Sequence, residues 1–167
     1  MVDNKEFIKD LSRGDPIGFI VSTHLRIEES LRGFIYAAYK GKKILEKNLE
    51  REHLWSLAKT AISEGLSKEV ELPLERINKI RHRFSHQLNT RLNQEEVTEI
   101  KSILSERIVG GLIHSLEKGT NRKNKFQELI TEDQCILILI SLRQFIEAER
   151  IQLLESKQER RDSSSNA

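Results

Sequence analysis

The chain has 167 residues, 37% of them hydrophobic and 32% charged, with only two Pro and eight Gly. That is long enough for one domain around one core, and the composition is that of helices with a large solvated surface, so the expected fold class is all-α. With 28 basic residues against 26 acidic ones the formal net charge is +2, which excludes a global field that would draw the protein onto nucleic acid or an anionic membrane; any such contact has to come from a local patch.

The first stretch, MVDNKEFIKDLSRGD, lacks the apolar core of a signal peptide, and no window reaches the roughly 18 uncharged apolar residues of a membrane span. A single cysteine, Cys135, lies in the apolar run CILILI, where it reads as a small buried hydrophobe and not as half of a disulfide. Together these features predict a cytoplasmic protein without membrane contact. Asp15-Pro16 is a helix start, since Asp caps free N–H groups and Pro at the first position forfeits no hydrogen bond. The first helix then runs to about Tyr39, with Ile20, Ile27, Leu31, Phe34, Ile35 and Ala38 forming one apolar stripe. His24 and Glu28 interrupt that stripe four residues apart, and the expectation is a buried hydrogen-bonded pair that also offsets positive charge further along the chain.

After GKK, a second helix spans about Glu50 to Glu64, buries Leu54, Leu57, Ala58, Ala61 and Ile62, and stops at Gly65. A third begins near Leu72-Pro73 and presents Leu74, Ile77, Ile80 and Phe84. Asn93 and Glu96 form a capping box that opens a fourth helix carrying Val97, Ile100, Ile103, Leu104 and Ile108, and Gly110-Gly111 marks a break after it. Lys118 to Lys125 reads as a basic loop. It could touch a phosphate backbone, but it lacks interleaved aromatic residues for stacking. Thr131 and Gln134 read as another capping box opening the last long helix, which is apolar nearly all round from Cys135 to Ile140 and so must be covered by other helices or by a partner. The expected organisation is a single bundle of five to six helices over residues 1–156, followed by a disordered tail over 157–167 in which RRDSSSNA offers no apolar anchor.

The stretch that carries chemistry is KIRHRFSHQLN, residues 79–89, at the C-terminal end of the third helix. Cations at a helix C-terminus are favoured by the macrodipole, which is a structural explanation for any one of them. The combination of Arg81, His82 and His86 does more. An imidazole can move a proton near neutral pH, while a guanidinium stabilises charge on a phosphate, which is what metal-independent cleavage of RNA requires. His82 and His86, four apart, share a face; Arg81 and His86, five apart, differ in direction by about 140° on a straight helix. An H-x-x-x-H pair supplies half of a tetrahedral zinc site, and neighbouring Arg81 and Arg83 would repel a divalent cation, so neither a metal nor another cofactor is expected. His53 and His114 have no acid or thiol nearby in sequence and are assigned surface or packing roles.

Arg81, the polar His82, three further residues and His86 resemble the R-polar-x-x-x-H signature of HEPN domains, a helical superfamily. LAKTAISEGL followed by LERINKIRHRFSHQ also resembles a branch of similar helical proteins that includes the mannitol operon repressor family, a likeness spanning about residues 15–90. The resemblance implies a helical bundle that pairs with a second copy across a shared cleft and, in active members, cuts RNA without metal. It implies further that Arg81 binds or polarises the phosphate, that His86 is the general base for a ribose 2′-hydroxyl, and that His82 orients the site or contacts the phosphate. A homodimer would also answer the angular separation of Arg81 and His86. Leu88 stands where HEPN toxins of paired systems often carry a Tyr, which argues against regulation by nucleotide attachment there. No helix-turn-helix with a basic recognition helix is present in the sequence pattern, so the alternative to RNA cleavage is a non-catalytic regulatory or interaction module acting through a protein partner.

Overall fold

The computed structural model describes residues 16–39, 49–86, 91–111 and 126–165, and these are helical with short connections. The elements are α1 (Pro16–Tyr39), α2 (Leu54–Ser63), a 3-10 turn (Lys68–Val70), α3 (Glu71–His86), α4 (Gln94–Ile103) and α5 (Thr131–Ser165), with a further helical segment over 106–111. The all-α class and the bundle are therefore as the sequence pattern requires. No helix among the described residues is long and apolar enough to cross a membrane. The GKK stretch, His114, the basic loop of residues 118–125 and Leu88 lie outside the described residues.

α1 is the central element. Ile27, Leu31 and Ile35 are fully buried along it, and the last helical turn buries Ala37 in place of the expected Ala38. α5 lies beside it in the same direction. Its start meets Ile20 and Val21 through Cys135 and Leu139, its middle meets Gly33 through Arg150, and its far end meets Ala37 and Ala38 through Lys157. A Cβ on Gly33 would stand 3.2 Å from Arg150 Nη1, so the bare backbone there is what lets the Arg150 side chain lie along α1. The apolar run of α5 is covered within the chain itself, with Cys135, Ile136, Ile138, Leu139, Ile140, Leu142, Phe145 and Ile146 all in the core.

Local signals fix several helix ends. Gly65, at φ +106°, terminates α2: its N–H donates to Ile62 O and the Leu66 N–H donates to Ala61 O, a Schellman closure with Leu66 buried behind it. Asn93 and Glu96 make the expected reciprocal capping box of α4.

Other ends depart from expectation. α2 starts at Leu54, not near Glu50, because its first N–H is capped from another helix by Glu28 Oε1 at 3.0 Å. The fourth helix breaks at Leu104–Ser105, where the Ser105 carbonyl accepts from Ile108 N and Val109 N and restarts the chain as a helix that continues through Gly110 and Gly111. That break places Leu104 and Ile108 in the core and leaves Ile103 half-buried. Thr131 and Gln134 form no capping box. Thr131 Oγ1 donates to Gln94 Oε1, Gln94 Nε2 donates to Gln134 Oε1, and Gln134 Nε2 donates to Leu129 O, so these polar side chains tie α5 to the start of α4.

The expected disordered tail is also corrected, since α5 continues as a helix to Ser165. SKQERR is made of residues with small helix penalties, and Lys157 Nζ donates to the last carbonyls of α1, Ala37 O at 2.9 Å and Ala38 O at 2.5 Å, which ties the segment to the bundle. On the opposite flank Arg107 bridges Glu69 at 2.7 Å and Glu149 at 2.8 Å and lies over the Phe145 ring, joining the 3-10 turn to α5.

Candidate functional site

Leu74, Ile77 and Ile80 bury one face of α3 against the bundle, and that rotation decides where each charged side chain of the last two turns stands. Arg81 falls on the α1 side. It is half-buried and lines a cavity of about 10 Å³ together with Ile20, Val21 and His24 of α1, Ile77, Ile80 and Phe84 of α3, and Cys135 and Leu139 of α5. A space of that size admits at most a single water.

His82 and His86 fall on the outer side. Both are exposed, and their rings meet edge to face with centroids 4.4 Å apart. The sequence places all three residues at one helix end, and the structure puts Arg81 on a different flank of it from the two exposed histidines. Arg83 has a third direction: its guanidinium forms a two-pronged pair with Glu96, Nη1 to Oε1 at 2.5 Å and Nη2 to Oε2 at 2.6 Å. The same carboxylate accepts from Asn93 N, so Arg83 fastens α3 to the α4 cap. Arg76–Glu99 and Lys79–Glu75, each near 2.7–2.8 Å, neutralise the rest of that flank.

His24 and Glu28 are both buried, yet the expected hydrogen bond between them is absent. His24 Nδ1 lies 3.6 Å from Glu28 Oε1, and neither imidazole nitrogen has a hydrogen-bond partner. Glu28 is held instead by the α2 N-terminus and by Arg32, whose Nη2 stands 3.4 Å from Oε2 while its other donors reach Leu49 O and Glu52 O. The carboxylate therefore caps a helix and pairs with Arg32; the motif's charge is left to its own surroundings. Burial, then the Arg81 guanidinium, then His53 together push the His24 imidazole down to about 4, so it is neutral at physiological pH. His53 itself is exposed at the start of α2, in keeping with a surface role.

Burial pushes the Cys135 thiol up to about 12, which leaves it protonated and unreactive. Among the described residues no group of three or more His, Cys, Asp or Glu side chains is arranged to hold a metal ion. Sequence reasoning singled out Arg81, His82 and His86 and did not place His24 in the cavity that Arg81 also lines. The available signal was a polar interruption of the α1 stripe, and the spacing within α1 pointed to Glu28 as its partner. No family model, curated protein or solved structure matches the chain.

Proposed function

We propose that this protein is a HEPN-like helical domain that acts as a homodimer and cleaves RNA without metal, with Arg81 holding the scissile phosphate, His86 taking the proton of the ribose 2′-hydroxyl and His82 orienting the phosphate. The observation that carries the reading is the exposed pair of imidazoles, 4.4 Å apart, at the end of a helix whose preceding turn bears Arg81. The nearby Arg83 is already committed to Glu96, whereas among the described residues the two histidines are exposed and engage each other's rings. In the reaction His86 takes the proton of the 2′-hydroxyl as its oxygen attacks phosphorus, the bond to the 5′-oxygen breaks, and the departing 5′-oxygen takes a proton from water.

In one chain Arg81 and His86 address different flanks, so the reading requires a second copy that brings the guanidinium of one chain to the imidazoles of the other. Val21 and Leu25, one turn apart on α1 and exposed at 38% and 53%, give that copy an apolar strip beside the Arg81 flank. Purified protein is expected to nick RNA in the presence of chelator, leaving 2′,3′-cyclic phosphate ends. Arg81→Ala and His86→Ala should abolish the cut while sedimenting as the wild type does.

The half-burial of Arg81 beside α1 favours a second reading, a non-catalytic interaction module in which the same helix end is a protein contact. Under it no RNA is cut, and His86→Ala changes assembly or partner binding alone. The cleavage and sedimentation measurements on the same three proteins separate the two.

A further inference from the structure

His82 and His86 are four residues apart on α3, so they stand one above the other on a single face, and both are exposed. Their ring centroids are 4.4 Å apart, with the ring planes inclined at 62°. Two imidazoles bound to one ion through metal–nitrogen bonds of about 2.0–2.1 Å have centroids about 4.5 Å apart at a right angle and about 5.2 Å apart at the tetrahedral angle. The pair already has the separation of a right-angled chelate, and in exposed side chains turning the nitrogens onto a common ion is a rotation about χ angles.

The sequence pattern sets cations beside this pair, and the structure answers much of that charge. Glu96 takes the Arg83 guanidinium on both oxygens, Glu75 holds Lys79 at 2.8 Å, and Glu99 holds Arg76 at 2.7 Å. Arg81 stands on the α1 flank, among the residues lining the small cavity there. What repulsion remains acts through solvent, where salt screens it. Among the described residues no third His, Cys, Asp or Glu completes a site with the two rings. An ion held by them keeps its other positions for water and stays exchangeable.

We propose that His82 and His86 chelate a divalent transition-metal ion, Cu²⁺, Ni²⁺ or Zn²⁺, through one nitrogen of each ring. Cu²⁺ binds tightest, because it leads the series for nitrogen ligands and because tetragonal ions use right-angled pairs, whereas tetrahedral Zn²⁺ needs the rings to spread. The chelate also has a regulatory consequence, which rests on the proposed function although the chelate itself does not. A neutral imidazole has one nitrogen lone pair, open to a metal or to a proton, so an ion on His86 removes the base and arrests the metal-independent cut.

The test is calorimetric titration of the metal-free whole protein at pH 7.5 with CuCl₂, NiCl₂ and ZnCl₂, in wild type, His82→Gln, His86→Gln, the double variant and Lys79→His/His82→Gln. The last keeps two imidazoles on α3 but sets them seven residues and about 10 Å apart along the axis, too far to share an ion. Wild type should bind one ion per chain that the double variant does not. Either single substitution, like the relocated pair, should weaken that ion about tenfold or more, because the second ring binds intramolecularly. Titrations that match between wild type and double variant overturn the proposal, as does a relocated pair as tight as wild type, or single variants that each keep half the binding at unchanged affinity. RNA cleavage with Ni²⁺ at the saturating concentration reads the proposed function separately. Arrest that chelator reverses supports regulation of that site; cutting that continues defeats His86 as the base, while the titrations still rule on the chelate.

Discussion

Two polar side chains one turn apart on α1, buried to the same degree, have opposite fates. Around Glu28 every charge is answered: Leu54 N–H and Arg32 meet the carboxylate, and Arg32 continues to Leu49 O and Glu52 O. Around His24 nothing is answered, and the imidazole remains buried only because it can shed its proton. A carboxylate cannot be buried at neutral pH without partners, whereas a histidine can become neutral in place, and that difference makes one corner a structural joint and the other a site whose charge can change.

The comparison breaks most visibly at Glu28. Glu28→Ala uncaps α2 and strands Arg32, and urea unfolding should show a loss of about 3 to 5 kcal/mol, as for other buried ion pairs deprived of one member. Acid probes the other corner. The unfolded chain binds a proton on His24 near 6.5 and the folded chain only near 4, so stability is highest above pH 6.5 and falls as the pH drops toward 4. At about 1.4 kcal/mol per unit the loss from this residue is at most about 3.5 kcal/mol.

His24→Leu sharpens the contrast. It removes the idle nitrogens, should lie within about 1 kcal/mol of wild type at pH 7.5, and should delete the His24 share of the acid slope. Smallest of all are His82→Ala and His86→Ala, exposed and outside the core, which should move the unfolding midpoint by less than about 0.5 kcal/mol. A large loss there would make the outer imidazoles structural and remove the main support for RNA cleavage.

What the sequence disclosed was whatever neighbours in the chain decide. The start at Pro16, the stop at Gly65, the Asn93–Glu96 cap and the apolar stripes each depend on residues a few positions apart, so they are legible without the fold. The cap of α2 comes from Glu28, 26 residues earlier, and the joint of α4 with α5 pairs Gln94 with Thr131 and Gln134; neither has a local signature. The order of the last helix beyond residue 156 depends on Lys157 finding carbonyls about 120 residues away.

The candidate site divides in the same way. The density of cations at the end of α3 and the divergence of Arg81 from His86 follow from spacing alone. That Arg83 belongs to Glu96, and that His24 and Arg81 line one cavity, depends on which helices pack where.

The parallel pairing of α1 with α5 has a consequence for synthesis. The long apolar face of the first described helix has its chief cover more than 100 residues downstream, so a nascent chain leaving the ribosome carries Ile27, Leu31 and Ile35 without that cover until Ile138, Leu139 and Leu142 have emerged. Completion of the interior therefore waits for α5, and the interval of waiting is when a holdase chaperone would find its target.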